Sequence, residues 1–113
     1  RALEEIATEP SNELVVVVDS SDRPVATLQI TRIPGLARRG TTRLLVEAVR
    51  VASSRRSEGI GSAMMRWVVD EAAPATGAAL VQLTSDEARA DAHRFYERLG
   101  FVGSHRGFKL RLG

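Results

Sequence analysis

An unbroken apolar run fills residues 14–18, and apolar and polar positions alternate with a period of two within 23–33 and again toward the end of the chain at 107–112. The intervening stretches switch to the helical period. Residues 13–19 read as an apolar strand, closed by the turn formers Ser20, Ser21 and Asp22. Residues 23–33 read as a second strand opened by Pro24, which could not sit inside a ladder. After a loop at 34–40 comes a third strand at 41–51, whose second part (Leu44 to Val51) is β-branched and free of Gly and Pro. Ile60, Met64 and Val68 then recur at i, i+4, i+8, one face of a helix that ends near 74–77. A fourth strand is expected at 78–84. A helix follows at 89–99, where Ala92, Phe95, Tyr96 and Leu99 form a stripe. Residues 101–104 and 107–112 suggest a closing pair of strands around His105-Arg106, and residues 2–8 the end of a helix stopped by Pro10. This order predicts an α/β (α+β) fold: one domain, with a mixed, mostly antiparallel central sheet flanked by helices.

Composition narrows the class. A chain of 113 residues with 43% hydrophobic and 27% charged residues suits a single globular domain with a modest core. No apolar run is long enough to span a bilayer, so no membrane partner is expected, and the start lacks a signal-peptide pattern. The absence of cysteine excludes disulfides, thiolate metal sites and a Cys nucleophile, and fits the cytoplasm. Two histidines are too few for a dedicated zinc site, and no metal is expected. The net charge is only +2. Arg38-Arg39 and Arg55-Arg56 are short pairs that read as solvated, and one Trp and one Tyr leave little for base stacking. No nucleic-acid partner is expected.

The chemistry concentrates at Arg56-Ser57-Glu58-Gly59-Ile60-Gly61-Ser62, between the third strand and the first long helix. Glycines at a helix mouth let the backbone approach a ligand, and the first helical N–H groups lack intrahelical partners and attract an anion. A Walker A loop would need Gly-Lys-Ser/Thr, and a dinucleotide fingerprint a third glycine; neither is present. A tight loop with no ligand is the alternative for this segment taken alone.

R-x-x-G-x-G after a hydrophobic strand resembles the pyrophosphate turn of the GNAT superfamily, the acyl-CoA-dependent N-acetyltransferases. Phe95-Tyr96-Glu97-Arg98-Leu99-Gly100-Phe101 is similar to that superfamily's tyrosine helix, in which a Gly-Phe follows the Tyr; Gly100 is also a good residue to end a helix. The likeness runs from about Leu14 to the C-terminus. The family usually begins with a further strand and helix, which are not found before Arg1. The chain is therefore expected to be a fragment, and the sheet edge so exposed to recruit another chain, most simply as a homodimer.

The resemblance implies acetyl-CoA as co-substrate, bound through the backbone of Gly59, Ile60, Gly61 and Ser62. It places Arg56 at the family's Arg/Gln position and Val49 and Val51 where backbone groups pair with the pantetheine arm, a backbone N–H near Val49 donating to the oxyanion. Ser57 and Glu58 stand where the family often has Gly and a basic residue, and a carboxylate there repels a pyrophosphate unless it turns away. Glu47, set by period two on the face of Val49 and Val51, is assigned as the base, its pKa expected to rise on burial. Pairing with Arg43 is the other reading of Glu47. Tyr96 is assigned as the acid for the leaving thiolate, since a phenol is protonated at neutral pH. Arg89 replaces the family's usual Asn and would reach a cofactor phosphate. Ser85 either lines the same channel or caps the helix with Asp86. His93 reads as an exposed helical histidine.

Together these imply an N-acetyltransferase acting on a primary amine of a small molecule or peptide by direct attack, with no activated Ser or Cys nucleophile. The alternative is a non-catalytic CoA-binding or sensing domain on the same fold.

Overall fold

A computed structural model describes residues 10–35 and 41–113. The helix end expected at 2–8 and most of the 34–40 loop, with Arg38 and Arg39, lie outside the described residues. The chain divides into two compact units, Arg1–Leu83 and Thr84–Gly113.

The first unit holds a four-stranded sheet in the order β1-β2-β3-β4. Strand β1 is Asn12–Val18, β2 Pro24–Ile33, β3 Arg43–Val51 and β4 Leu80–Leu83. The first three run antiparallel and β4 is parallel to β3. The β1–β2 turn is set by Asp19, whose Oδ1 accepts from the backbone N–H of Ser21 (2.8 Å) and Arg23 (3.0 Å). Along β2, Ala26, Leu28 and Ile30 are buried while Thr27, Gln29 and Thr31 between them are half-buried, the alternation of a strand with one core face. Val15 lies opposite Leu28, and Val46 opposite Ile30, so β1 and β3 join the same face.

After β3, a 3-10 turn at Ser53–Arg55 leads to helix α1, Ile60–Trp67. A π-helical turn at Val68–Ala72 joins it to α2, Ala73–Thr76. The widened turn stands directly before Pro74, whose ring and missing N–H do not fit an unbroken α-helical ladder. Met64, Met65, Val68, Ala72 and Ala73 are buried, forming the core with Leu28, Ile30, Leu44 and Val46. Gly77 at φ 75° ends α2, its N–H bonding to the Pro74 carbonyl and that of Ala78 to the Ala73 carbonyl. The Thr76 carbonyl accepts from Arg32 Nε at 2.9 Å, tying the helix end to β2.

In the second unit, helix α3 spans Ala90–Arg98. Gly100, at φ 99°, terminates it as expected: the Gly100 N–H reaches the Glu97 carbonyl and the Phe101 N–H the Tyr96 carbonyl. The Tyr96 and Phe101 rings meet edge to face at 5.9 Å, the apolar contact that accompanies this helix end. The closing pair of strands is not formed. Among the described residues, 101–113 join no ladder, and Phe108, Leu110 and Leu112 are 89, 85 and 91% exposed. Alternation shows which face a strand would bury, but only a neighbouring strand can take up its backbone groups.

Candidate functional site

Two features of β3 shape its C-terminal half. The parallel pairing with β4 runs from Arg43 opposite Leu80 to Val46 opposite Leu83, and ends there. Beyond Val46, β3 continues to Val51 with a pairing partner only on the β2 side among the described residues. Glu47, Ala48, Val49, Arg50 and Val51 thus present a backbone edge that no described strand covers on the β4 side.

The second feature is a β-bulge. Gln29 pairs with Glu47 and Thr27 with Arg50, so Leu28 alone faces Ala48 and Val49. Ala48 takes up the extra residue at φ 53°, a left-handed conformation rare outside glycine. The bulge corrects the expected placement of Glu47. Val49 and Val51 share a face, with Val51 beside Ala26 on the core side, whereas Glu47 lies beside Gln29 on the opposite face. Glu47 is exposed, so the burial anticipated for it is absent. Nor does it pair with Arg43 among the described residues. Four residues of strand separate the two backbones by about 13 Å, which disfavours that contact.

On the Glu47 face, a polar row not anticipated from sequence crosses the sheet. Gln29 Nε2 donates to Asn12 Oδ1 at 3.0 Å and Thr31 Oγ1 donates to the same oxygen at 2.7 Å. Only strand register could have disclosed it, because Asn12, Gln29 and Glu47 are far apart in sequence.

Continuing from β3, the glycine turn delivers the mouth of α1. Gly59 is the N-cap at φ 80°, without a side-chain cap, and the first helical bond runs from the Ala63 N–H to the Gly59 carbonyl at 3.0 Å. The N–H groups of Ile60, Gly61 and Ser62 precede that bond and have no partner within the helix. A Cβ built on Gly59 would meet nothing within 4 Å, so the turn is open on that side. This arrangement suits an anion such as a pyrophosphate. Ser57 holds φ 74°, which explains why glycine would be favoured at its position. Arg56 Nε donates to the Val51 carbonyl at 3.4 Å, linking the turn to the end of β3.

Arg55 is not the solvated residue expected from sequence. Its Nε donates to both Glu58 carboxylate oxygens (3.0 and 2.9 Å) and its Nη1 donates to Asp19 Oδ2 at 3.0 Å. Hydrogen bonds to Glu58 and then Asp19 stabilise the charged guanidinium and raise its pKa. Bonds from the Arg23 and Ser21 backbone, followed by Arg55, hold the Asp19 carboxyl below its ordinary range. The i,i+3 spacing of Arg55 and Glu58 was a readable signal; the Asp19 contact, 36 residues away, was not.

Ser85, Arg89 and Tyr96 belong to the second unit. Tyr96 is half-buried, with Phe95 edge to face at 5.1 Å. Burial raises its pKa, and the Arg89 charge opposes that shift to a lesser extent. Arg89 is the N-cap of α3 without a side-chain cap bond, while Asp86 Oδ1 accepts from the Ala88 N–H at 2.8 Å. His93 is half-buried rather than exposed, its Nε2 2.7 Å from the Asp86 carbonyl. A carbonyl can only accept, so Nε2 carries the proton. Among the described residues, no helix is long and apolar enough to cross a membrane.

The sequence matches the acetyltransferase (GNAT) family over residues 1–101. An aminoalkylphosphonate N-acetyltransferase of Salmonella typhimurium is 40% identical over 67 residues, covering 59% of this chain and 43% of that protein. The match therefore spans less than half the length of that curated relative. Among solved structures, a transcriptional regulator from Bacillus halodurans superposes with a TM-score of 0.92 at 42% identity, over 99% of this chain and 73% of that one. A Trypanosoma brucei acetyltransferase superposes at 0.80 with 25% identity, over 98% and 76% of the two chains.

Proposed function

The chain belongs to the acetyltransferase (GNAT) family, and from that premise we propose that it moves an acetyl group from acetyl-CoA to a primary amine by direct attack. The carrying observation is the uncapped mouth of α1, fed by a β3 that has no β4 partner beyond Val46. In this reading the N–H groups of Ile60, Gly61 and Ser62, with the open Gly59 turn, hold the pyrophosphate. Ser57 shapes the turn and Arg56 fixes it to β3. The backbone of Val49 and Val51 lines the pantetheine arm, with an N–H near Val49 donating to the acyl oxygen. Acetyl-CoA supplies an activated thioester.

Glu47, exposed on the polar face beside Gln29, takes the amine proton directly or through water. Tyr96 donates its hydroxyl proton to the thiolate, and the raised pKa keeps that proton in place at neutral pH. Ser85 and Arg89 complete the cofactor contacts. The acceptor is a small molecule or peptide amine. Aminoalkylphosphonates are the first to assay, given the activity of the Salmonella relative.

Calorimetric titration with acetyl-CoA, repeated on Gly61→Glu, tests the reading. A carboxylate in the first turn favours the helix dipole, so the variant is expected to fold while its mouth repels the anion. Saturable binding that the glutamate abolishes supports the proposal; no binding by the folded native chain overturns it.

The identity with the Bacillus halodurans transcriptional regulator favours a second reading, a CoA-binding sensor without turnover. Tyr96→Phe separates the two: an enzyme loses turnover, whereas a sensor has none to lose.

A further inference from the structure

Glu58 sets a physical problem for the proposed cofactor site. It lies in the turn that opens α1, immediately before the Gly59 N-cap, where an unpaired carboxylate would repel any anion at the helix mouth. Both its oxygens are instead committed to Arg55 Nε, at 3.0 and 2.9 Å. Arg55 is held in turn by Asp19 through Nη1, and Asp19 is held by the backbone of the β1–β2 turn. The Asp19 and Arg55 side chains are 16 and 34% exposed, so this pair is better shielded than an ordinary surface ion pair, while Glu58 at 47% is the outer member.

The geometry has a direction. Asp19 is the fixed end, because it is bonded to Ser21 and Arg23 on its own turn. Arg55 spans from that end to Glu58, drawing the glutamate carboxylate toward the β1–β2 turn. Lysine would serve less well, since its donors share one nitrogen whereas Arg55 reaches Glu58 through Nε and Asp19 through Nη1.

We propose that Arg55 is a positioning residue for the anion-binding turn, clamping Glu58 against Asp19 so that its negative charge is neutralised and kept off the mouth of α1. The inference rests on the cofactor reading above. It adds that the β1–β2 turn, remote in sequence, is part of the machinery that makes the site receptive to a pyrophosphate. Arg55 touches neither substrate nor reacting atoms; its effect passes through Glu58.

A double-mutant cycle tests this, with CoA as the probe and calorimetry as the readout. Arg55→Gln frees the Glu58 carboxylate and is expected to weaken CoA binding by about tenfold. Glu58→Gln removes the charge and binds at least as tightly as the native chain. The double variant returns to within about threefold of Glu58→Gln, because without the carboxylate there is nothing left to clamp. With an amine acceptor in hand, the Arg55→Gln defect falls on the KM for acetyl-CoA and leaves kcat within about twofold. Arg55→Lys does not fully rescue. Equal weakening in Arg55→Gln and the double variant would mean that Arg55 contacts the phosphates itself or only supports the fold, and would overturn the clamp. So would native affinity in Arg55→Gln.

A readout without cofactor keeps the two proposals apart. The Arg55 Nε proton exchanges slowly with solvent in the native chain and quickly in Glu58→Gln if the clamp exists in solution. Slow exchange with no CoA binding would sink the cofactor reading and leave the clamp standing; fast exchange in the native chain would sink the clamp.

Discussion

Val46 stands opposite Leu83 and is the last residue of β3 with a partner on β4. One residue later, Glu47 keeps only its pairing with Gln29, and Ala48 bulges out at φ 53°. The end of the β4 pairing and the bulge therefore fall within three consecutive positions, so β3 loses a partner on one side where it is re-aimed on the other. That coincidence leaves the second half of β3 with a bulged, one-sided pairing among the described residues.

The bulge position predicts a sharp residue preference. Ala48→Gly removes a left-handed alanine and is expected to stabilise the fold by up to about 1 kcal/mol. Ala48→Val, β-branched at positive φ, is expected to destabilise it by about 1–2 kcal/mol although the site is exposed. Urea midpoints at unchanged m-value measure both. Equal midpoints for the valine and native chains would place Ala48 outside the left-handed region in solution.

A similar contrast holds in the glycine turn. Gly59 has φ 80° and open space around its Cβ position, so Gly59→Ala costs only backbone strain, about 1–2 kcal/mol. Ser57→Gly relaxes φ 74° and stabilises by up to about 1 kcal/mol. Thermal melts of the two variants should move in opposite directions.

For Tyr96, the proposed acid role predicts that Tyr96→Phe lowers kcat by about 10²–10³-fold with little change in acetyl-CoA affinity. The raised pKa also sets a pH window. Burial favours the protonated phenol in the folded state, so its stabilising contribution is fully present below the ordinary tyrosine pKa of 10.0 and is lost as pH rises through the higher folded value. Activity should not decline through this group below about pH 10. A titration of tyrosine absorbance with a midpoint below that of free tyrosine would contradict it.

In the core, Leu28 is fully buried opposite both Val15 and the bulge. Leu28→Ala should cost about 2–5 kcal/mol, from lost burial and the cavity left behind. Val16→Ala on the exposed side of β1 should cost far less. Chemical denaturation of the pair measures the difference, and similar losses would mean that the outer face of β1 is covered in solution.

The sequence by itself determined the order of strands and helices from β1 to α3, because these follow from short-range physics. Period two in Ala26, Leu28 and Ile30 produces β2; helical spacing of Met64 and Val68 produces the buried face of α1; Gly100 ends α3 where the chain must enter positive φ. The anion-binding role proposed for the turn was likewise readable locally, since helix N–H groups are orphaned wherever a helix begins. Tertiary structure decided whatever depends on a partner. Period two put Glu47 with Val49 and Val51, but one bulged residue at Ala48 reverses the faces, and only the register against Gln29 and Thr27 reveals it. The alternating segment at 107–112 has strand chemistry and no strand, because a ladder needs a neighbour that alternation cannot supply. Arg55 reads as one of many arginines until the β1–β2 turn brings Asp19 to it across 36 residues. Spacing along a chain specifies local geometry, but the meeting of distant charges is set by the sheet that carries them.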